Sequence, residues 1–300
     1  MNAIELRLWN QFVVLAEELH FGRAAQRLFM TQPPLTQAIA QLEKRLGARL
    51  FDRTKRSVQL TATGRALLPE VLDLLARAQA LPEHARAAAA GELGRLRLAF
   101  VSTVGFALLP QWVRGFRALY PKVQMELVEA TGDVQLEAFA RGELDAGFML
   151  HAPGFVPPGL ARQVVSREAL VLALPEQHTL AAQPSLALVD VLDQPLVIFP
   201  RRIVPSLYDA IFGVYHAAGR LPEVAQEAIQ MQTIVNLVSA GLGLAWVPQS
   251  VTQFQRPGVV YRALADAVGV PGCETSLVWA EQGASPSLER FVEFVGQGVV

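Results

Sequence analysis

One cysteine, Cys273, stands among 300 residues. A single thiol closes no disulfide framework and builds no thiolate metal cluster, so a buried structural role is the expectation for it. The five histidines, His20, His84, His151, His178 and His216, show no close ligand spacing, and no Walker loop, nucleophile elbow or HExxH helix is present. Gly241 and Gly243 flank a leucine without the rest of a dinucleotide fingerprint. No metal and no cofactor is implied. Long apolar runs are also missing: residues 228–255 carry no charge, but Gln230, Gln232, Asn236, Gln249 and Gln253 interrupt them, which argues against a membrane helix. With Glu5 and no extended apolar core, the N-terminus does not read as a signal peptide, so a cytoplasmic location without a membrane partner is expected.

Net charge is nearly absent too, at -1 overall. That average hides a division. Residues 1–65 hold 10 Lys and Arg against 5 Asp and Glu, leaving 16 against 22 for the remainder. The basic end has the composition of a small nucleic-acid-binding domain, and its modest excess of +5 implies that firm, salt-dependent binding needs at least two copies.

Within that basic end, residues 31–47 (TQPPLTQAIAQLEKRLG) read as a helix beginning at Thr31. Thr31 is a favoured N-cap, and Pro33 and Pro34 fall in the first turn, where backbone N–H groups lack intrahelical partners anyway. Leu35, Ile39, Leu42 and Leu46 make one apolar face; Gln32, Thr36, Gln37, Ala40, Gln41 and Lys44 fall largely on the other. An ordinary amphipathic surface helix would share the apolar face. The opposite face is short, amide-rich and mostly uncharged, which suits base edges, since Gln pairs with adenine N6 and N7 and Thr or Ala touches a thymine methyl. Upstream, Phe12, Leu15 and Ala16 give another helical pattern, followed by a break at 20–22 and the small-residue run Arg23, Ala24, Ala25, which permits close helix crossing. Downstream, Arg53, Lys55 and Arg56 sit between two short apolar stretches, as the basic tip of a two-stranded wing would, placed against phosphates.

The stretch AEELHFGRAAQRLFMTQPPLTQAIAQLEKRLGARLFDRT resembles the winged helix-turn-helix of LysR-type transcriptional regulators over about the first sixty residues. This resemblance implies double-stranded DNA as partner, with Arg23, Gln32, Pro33, Pro34, Thr36, Gln37, Gln41, Arg53, Lys55 and Arg56 as candidate contacts. Where family members commonly carry Ser then Arg, this chain has Thr36 and Gln37, which points to an A·T-leaning contact pattern. The resemblance further implies a two-lobed, periplasmic-binding-protein-like effector domain, so the fold class is α/β with an N-terminal all-α winged helix-turn-helix domain. It also implies a homotetramer built as a dimer of dimers.

From Thr61 to about Ala90, Leu67, Leu68, Val71, Leu72, Leu74, Leu75, Ala78 and Leu81 make an apolar stripe too broad for a solvated linker. Homodimerisation through this helix and a dyad operator follow, with a kink or break expected near Pro69 or Pro82. Packing onto the chain's own second domain is the alternative. The domain boundaries expected are 1–60, 61–90 and 91–300, the last split into lobe I (about 91–166 and 267–300) and lobe II (about 167–266).

Beyond Gly91, strands at 97–102, 123–129 and 144–150 alternate with helices at 106–120 and 134–141, and the pattern recurs through 170–174, 196–199, 207–218, 224–227, 233–240 and 244–247. Such alternation predicts two α/β units with parallel sheets. Ligands in these folds bind beyond the carboxyl ends of strands. That rule selects Ser102, Thr103, Thr131, Gly132, Arg202, Ser206, Leu207, Gln230 and Thr233 as effector-site candidates, with Arg201 beside them. Hydroxyls and N–H groups at helix starts suit a carboxylate, and an arginine would add a bidentate contact. Local capping or surface charge would explain each residue singly. Similarity of residues 100–113 and 128–148 to regulators of aromatic-compound catabolism implies an aromatic or dicarboxylic acid effector, with Thr103, Gly132, Ser206 and Leu207 lining its site. A rival reading is a cytoplasmic solute-binding or enzymatic α/β protein whose N-terminal helices serve only association, yet no catalytic residues with a partnered base stand at the cleft positions.

Overall fold

The computed structural model describes residues 4–54, 57–265 and 269–297. Two compact units divide the chain, Met1–Arg86 and Ala87–Val300. In the first, α1 (Leu6–Glu18), α2 (Phe21–Arg27) and α3 (Gln32–Leu46) enclose a core that includes Phe12, Leu15, Ala24, Ile39 and Leu42. Leu19 takes a left-handed φ of 48° and ends α1, and the ring of His20 then caps α2 by accepting from the Arg23 N–H at 3.2 Å. Ala24 and Ala25 are both buried, so α2 crosses its neighbours with no side chain between. Gly47, at φ 68°, closes α3 as glycine does after a helix.

An antiparallel hairpin of β1 (Phe51–Arg53) and β2 (Val58–Leu60) follows, pairing Phe51 with Leu60. α4 (Ala62–Ala89) then runs through Pro69 and Pro82 without interruption, so of the expected kink or break the break does not occur. Each proline removes only one helical hydrogen bond, and the flanking Ala, Leu and Arg residues are the strongest helix formers, so propensity carries the helix across. Val71 is buried in the N-terminal core, with Leu67, Leu68 and Leu75 packed against it. The Thr61 hydroxyl caps the helix start, accepting from the Gly64 N–H at 3.0 Å and donating to the Arg49 carbonyl at 2.8 Å.

The second unit contains β3 (Leu93–Phe100), α5 (Ser102–Leu119), β4 (Lys122–Glu129), α6 (Gly132–Ala140), β5 (Ala146–His151) and β6 (Leu160–Pro175). It continues with α7 (Leu188–Val191), β7 (Leu196–Ile198), α8 (Pro205–Ala217), β8 (Val224–Glu227), α9 (Met231–Ser239), β9 (Ala245–Pro248), β10 (Val259–Arg262), β11 (Gly272–Ala280) and α10 (Pro286–Gln297). A 7-stranded sheet runs β10-β6-β11-β5-β3-β4, with β9 also on β6, and β7 pairs with β8 in a second sheet. The expectation of wholly parallel sheets is corrected. β3 is parallel to β4 and β5, but β11 is antiparallel to β5 and β6, and β9 and β10 are antiparallel to β6. β5 and β6 run in the same sense on either side of β11, which comes from the far end of the chain and inserts between them antiparallel to both.

Two main hydrophobic cores result, beside a small cluster of Met149, Leu160 and Val278. One gathers Leu98, Trp112, Phe148, Val165, Leu277 and Phe291, with Trp112 stacked on Phe148 at 4.6 Å. The other gathers Leu172, Ile198, Tyr215, Val235 and Trp246, where the indole N–H donates to the buried Tyr215 hydroxyl at 3.2 Å. β6 belongs to both: Val165 lies in the first core and Leu170 to Leu174 in the second. Sequence patterning found only the apolar 170–174 end of this 16-residue strand. No helix among the described residues is long and apolar enough to cross a membrane.

Where β5 ends, His151 is buried with Nε2 2.8 Å from Ser276 Oγ and Nδ1 2.8 Å from the Ala152 carbonyl. A carbonyl only accepts, so Nδ1 bears a proton, and in the neutral ring that burial favours Nε2 accepts from the Ser276 hydroxyl. Burial holds the His151 pKa below its usual value, against the Ala152 carbonyl and the nearby Glu274 carboxylate, which favour the charged ring. Arg162 and Arg167 lie against that carboxylate from β6.

Two consequences are measurable. A Cβ added at Gly64 would sit 2.3 Å from the Leu50 carbonyl oxygen. Gly64→Ala should therefore cost about 1–3 kcal/mol in urea unfolding; an unchanged midpoint would show that α4 does not pack so closely. Because the folded His151 pKa is depressed, the unfolded chain takes up a proton that the folded chain refuses as pH falls below about 6.5. Stability should fall more steeply between pH 7.5 and 5.5 in the wild type than in His151→Gln, and parallel profiles would refute the assignment.

Candidate functional site

α3 turns Leu35, Ile39 and Leu42 inward and leaves Gln32, Pro33, Pro34, Gln37, Ala40, Gln41 and Lys44 exposed. The free face is therefore the amide-rich one. Thr31 holds the N-cap backbone position without a side-chain cap bond, and the half-buried Thr36 hydroxyl donates to the Gln32 carbonyl at 3.1 Å. Arg23 is paired with Glu18, its Nε 3.1 Å from the carboxylate and Nη2 2.5 Å from the backbone oxygen. Arg53 Nη2 lies 2.7 Å from Glu43 Oε2, with its guanidinium 5.1 Å from the centre of the Phe21 ring. Glu43, which sequence reasoning passed over, also accepts the N–H groups of Leu50 at 2.9 Å and Phe51 at 3.1 Å through Oε1. One carboxylate thus fastens the hairpin to α3. Its only trace in the sequence is an acid among the cations of that segment. Lys55 and Arg56, read as the wing tip, lie outside the described residues.

In the second unit, four βα turns meet at one cavity. Val101, Thr131, Val204 and Gln230 are the N-cap residues of α5, α6, α8 and α9, and all four line it. Helix starts leave N–H groups without intrahelical partners and carry about half a positive charge each, so their convergence favours an anion. Ser102 and Thr103, in the first turn of α5, line the same space. The Thr103 hydroxyl is buried and has no hydrogen-bond partner among the described residues. A buried, unsatisfied hydroxyl costs about 1–3 kcal/mol, a cost that a bound acceptor removes. Thr131 instead donates its hydroxyl to Asp133.

Apolar lining comes from Leu150, Phe199, Ile203, Ile229 and Met231, none of them singled out from the sequence. They lie in or beside strand and helix segments whose hydrophobicity reads as core. Around the cavity, three further candidates, Gly132, Arg202 and Ser206, make contacts between segments that border it. The N–H of Ala152 donates to Ser206 Oγ at 3.2 Å, a Cβ at Gly132 would come 3.1 Å from the Ile203 carbonyl, and Arg202 Nε stands 3.7 Å from Asp133. Arg202 is directed to that carboxylate and is not among the lining residues; Arg201 makes a two-pronged pair with Asp209, each arm 2.7 Å. Leu207 is buried in the second core and Thr233 is exposed, and neither lines the cavity. The lining offers hydroxyls, an amide and one carboxylate, Glu129, with no nucleophile partnered to a base. Cys273 lies elsewhere, and burial near Glu168 pushes its thiol up to about 12, so it stays protonated and unreactive.

Residues 6–65 match the family described as "Bacterial regulatory helix-turn-helix protein, lysR family", and residues 89–299 match "LysR substrate binding domain". The HTH-type transcriptional regulator IlvR of Caulobacter vibrioides is 46% identical over 97% of this chain and 97% of its own length. AlsR of Bacillus subtilis, likewise an HTH-type transcriptional regulator, is 36% identical over 96% of this chain and 94% of its own length. Among solved structures, full-length CbnR complexed with target DNA gives a TM-score of 0.81 at 28% identity, covering 99% of this chain and 100% of that one. Full-length BenM gives 0.57 at 26% identity, covering 98% and 96%. These relatives are regulators rather than enzymes, which removes the enzymatic rival. A helix-turn-helix in one unit and a substrate-binding domain with a cleft in the other therefore belong together: the chain is a member of the LysR family of bacterial transcriptional regulators.

Proposed function

We propose that two copies of this regulator pair through α4, present their α3 helices to a dyad operator, and respond to a carboxylic acid held between the lobes. The observation that carries the ligand reading is the unpartnered Thr103 hydroxyl among four helix starts. A carboxylate there accepts from the hydroxyl and from first-turn N–H groups. Ligand control requires different affinities for two arrangements of the lobes, and contacts such as Arg202 with Asp133 and Ser206 with Ala152 are ones that opening the cleft would break. The effector residues are Ser102, Thr103, Thr131 and Gln230, with Gly132, Arg202 and Ser206 acting on closure. Resemblance to regulators of aromatic-compound catabolism favours an acid, and within that class it points to aromatic and dicarboxylic compounds.

For DNA, Gln32, Gln37 and Gln41 supply base-edge amides, Pro33, Pro34 and Thr36 shape the helix start, and Arg23 and Arg53 serve phosphates together with Lys55 and Arg56. Pairing of copies is supported by the heptad spacing of Leu67, Val71, Leu74, Ala78 and Leu81 on α4. The inner end of this stripe is buried in the chain's own core, whereas Leu74 is 42% and Leu81 62% exposed. A tetramer formed as a dimer of dimers follows from the family resemblance, and the expected compartment is the cytoplasm, where the operator is.

Fluorescence anisotropy with DNA from upstream of the protein's own gene tests the core of this reading: specific binding that weakens with salt is expected, and none at any salt rejects it. Gln37→Ala should lower specific affinity by roughly 5- to 150-fold and abolish discrimination at one A·T pair of each half-site; equal tolerance of A·T to G·C changes in the wild type would count against the assignment. Leu81→Glu should shift sedimentation toward smaller species and weaken operator binding, and an unaltered oligomer would place the pairing surface elsewhere.

A further inference from the structure

We infer that Phe29, in the turn between α2 and α3, is a DNA-contacting residue whose ring packs on the apolar surface of the operator beside each α3 helix. This inference rests on the reading of α3 as the helix that faces DNA, and adds to it a contact that is neither amide nor cation. The turn closes α2 in the Schellman manner: the Met30 N–H donates to the Ala25 carbonyl at 2.9 Å and the Phe29 N–H to the Gln26 carbonyl at 3.0 Å. Phe29 therefore stands at the position of this motif that takes a left-handed backbone, and its φ is 52°. Glycine suits that position best, since a Cβ there crowds the backbone.

Folding makes no use of the ring. Leu28 and Met30 pack against the N-terminal core, and the side-chain amide of Gln11 donates to the Met30 sulfur at 3.7 Å. Phe29, between them, is 98% exposed, against 82% for Leu221, the next most exposed large apolar side chain among the described residues. A rigid apolar ring is thus held in water on a backbone that disfavours it. Thr31, two residues on, is the N-cap of α3, and Gln32, Pro33, Pro34 and Gln37 are exposed beyond it. In a helix-turn-helix the first residues of the second helix reach the base edges of the major groove, so the turn before them is carried to the groove edge. The apolar surfaces of the duplex there are deoxyribose faces and thymine methyl groups, and Phe packs on such methyls. Arg23 and Arg27 on α2 are engaged by Glu17 and Glu18, so a ring rather than a charge is what this turn presents.

Fluorescence anisotropy with the full-length protein and the duplex from upstream of its own gene tests this with Phe29→Gly, Phe29→Asn and Phe29→Leu. Glycine and asparagine tolerate the left-handed backbone, so both variants should unfold in urea at the wild-type midpoint or above. Both should nevertheless bind the duplex about 10-fold or more weakly. Phe29→Leu, which keeps an apolar surface, should recover most of that loss. An apolar contact releases no counterions, so the slope of log affinity against log salt should be the same in all four proteins. Deoxyuridine in place of thymidine identifies the surface: the ratio of wild-type to Phe29→Gly affinity shrinks if the ring sits on a methyl group and is unaltered if it sits on deoxyribose. Folded Phe29→Gly and Phe29→Asn that bind as tightly as the wild type, where Gln37→Ala binds more weakly, overturn the contact and leave the α3 reading standing. A loss accompanied by smaller species in sedimentation assigns the ring to a second copy of the chain and also overturns it. No specific binding by the wild type at any salt overturns the α3 reading, and this contact with it.

Discussion

A single strand, β6, holds both hydrophobic cores of the second unit, and the placement of the cleft depends on it. Its first half is hydrogen-bonded to β11 from Leu160 to Ala169, and its second half to β9 and β10 from Leu170 onward. The backbone passes from one sheet environment to the other between Ala169 and Leu170, so any change in the angle between lobes bends a hydrogen-bonded strand rather than a loose linker. With both lobes tied to one strand, the carboxyl ends of β3, β4, β7 and β8 converge, and each hands over to a helix whose first residues reach the shared cavity. The buried pair of His151 and Ser276 packs beside this passage on β5 and β11, where unpaired polar groups would be costly.

In the first unit, a smaller constraint acts comparably. Glu43 uses one oxygen on two backbone N–H groups of the hairpin and the other on Arg53. Hydrogen bonds to charged acceptors are the stronger kind, and this one joins α3 to the segment that follows it. The paired states of Arg23 and Arg53 also mean that the cationic excess of the N-terminal region is less freely available to phosphates than its formal count suggests.

Much of this was legible in the residues. The heptad-like and i, i+3, i+4 patterns located α3 within one residue, because Leu35, Ile39 and Leu42 have to be inside and nothing else competes for them. The four cavity-forming turns were found from strand-to-helix transitions alone. What escaped notice has definite physical causes. The first half of β6 (LARQVVSREA) mixes polar residues into its pleat and carries no uniform apolar run. β10 and β11 follow one another with no helix between them among the described residues, so strand–helix alternation does not mark them. A break in α4, one of the two outcomes expected at its prolines, does not occur because the helix-forming strength of the neighbouring residues offsets proline's local cost. Arg202 was placed at the ligand because an arginine beside a cleft invites an anion, but Asp133 on the opposite lobe is the anion it meets. Apolar lining residues such as Phe199 and Ile203 cannot be told from core by pattern, since they are buried either way.

If the cavity takes an anion as proposed, its recognition would be made largely of main chain, beside the Thr103 hydroxyl. Helix starts cannot be removed by a point substitution as an arginine can, so affinity for a negative head group would be inherited with the fold itself. Selectivity, by contrast, would rest with a few apolar side chains whose exchange alters shape without altering charge. A receptor built in this manner could drift from one such ligand to another through single-step changes at lining positions such as Ile203 or Ile229. The scaffold is thereby free to diversify its signals while its grip on DNA, housed in a separate unit, stays as it was.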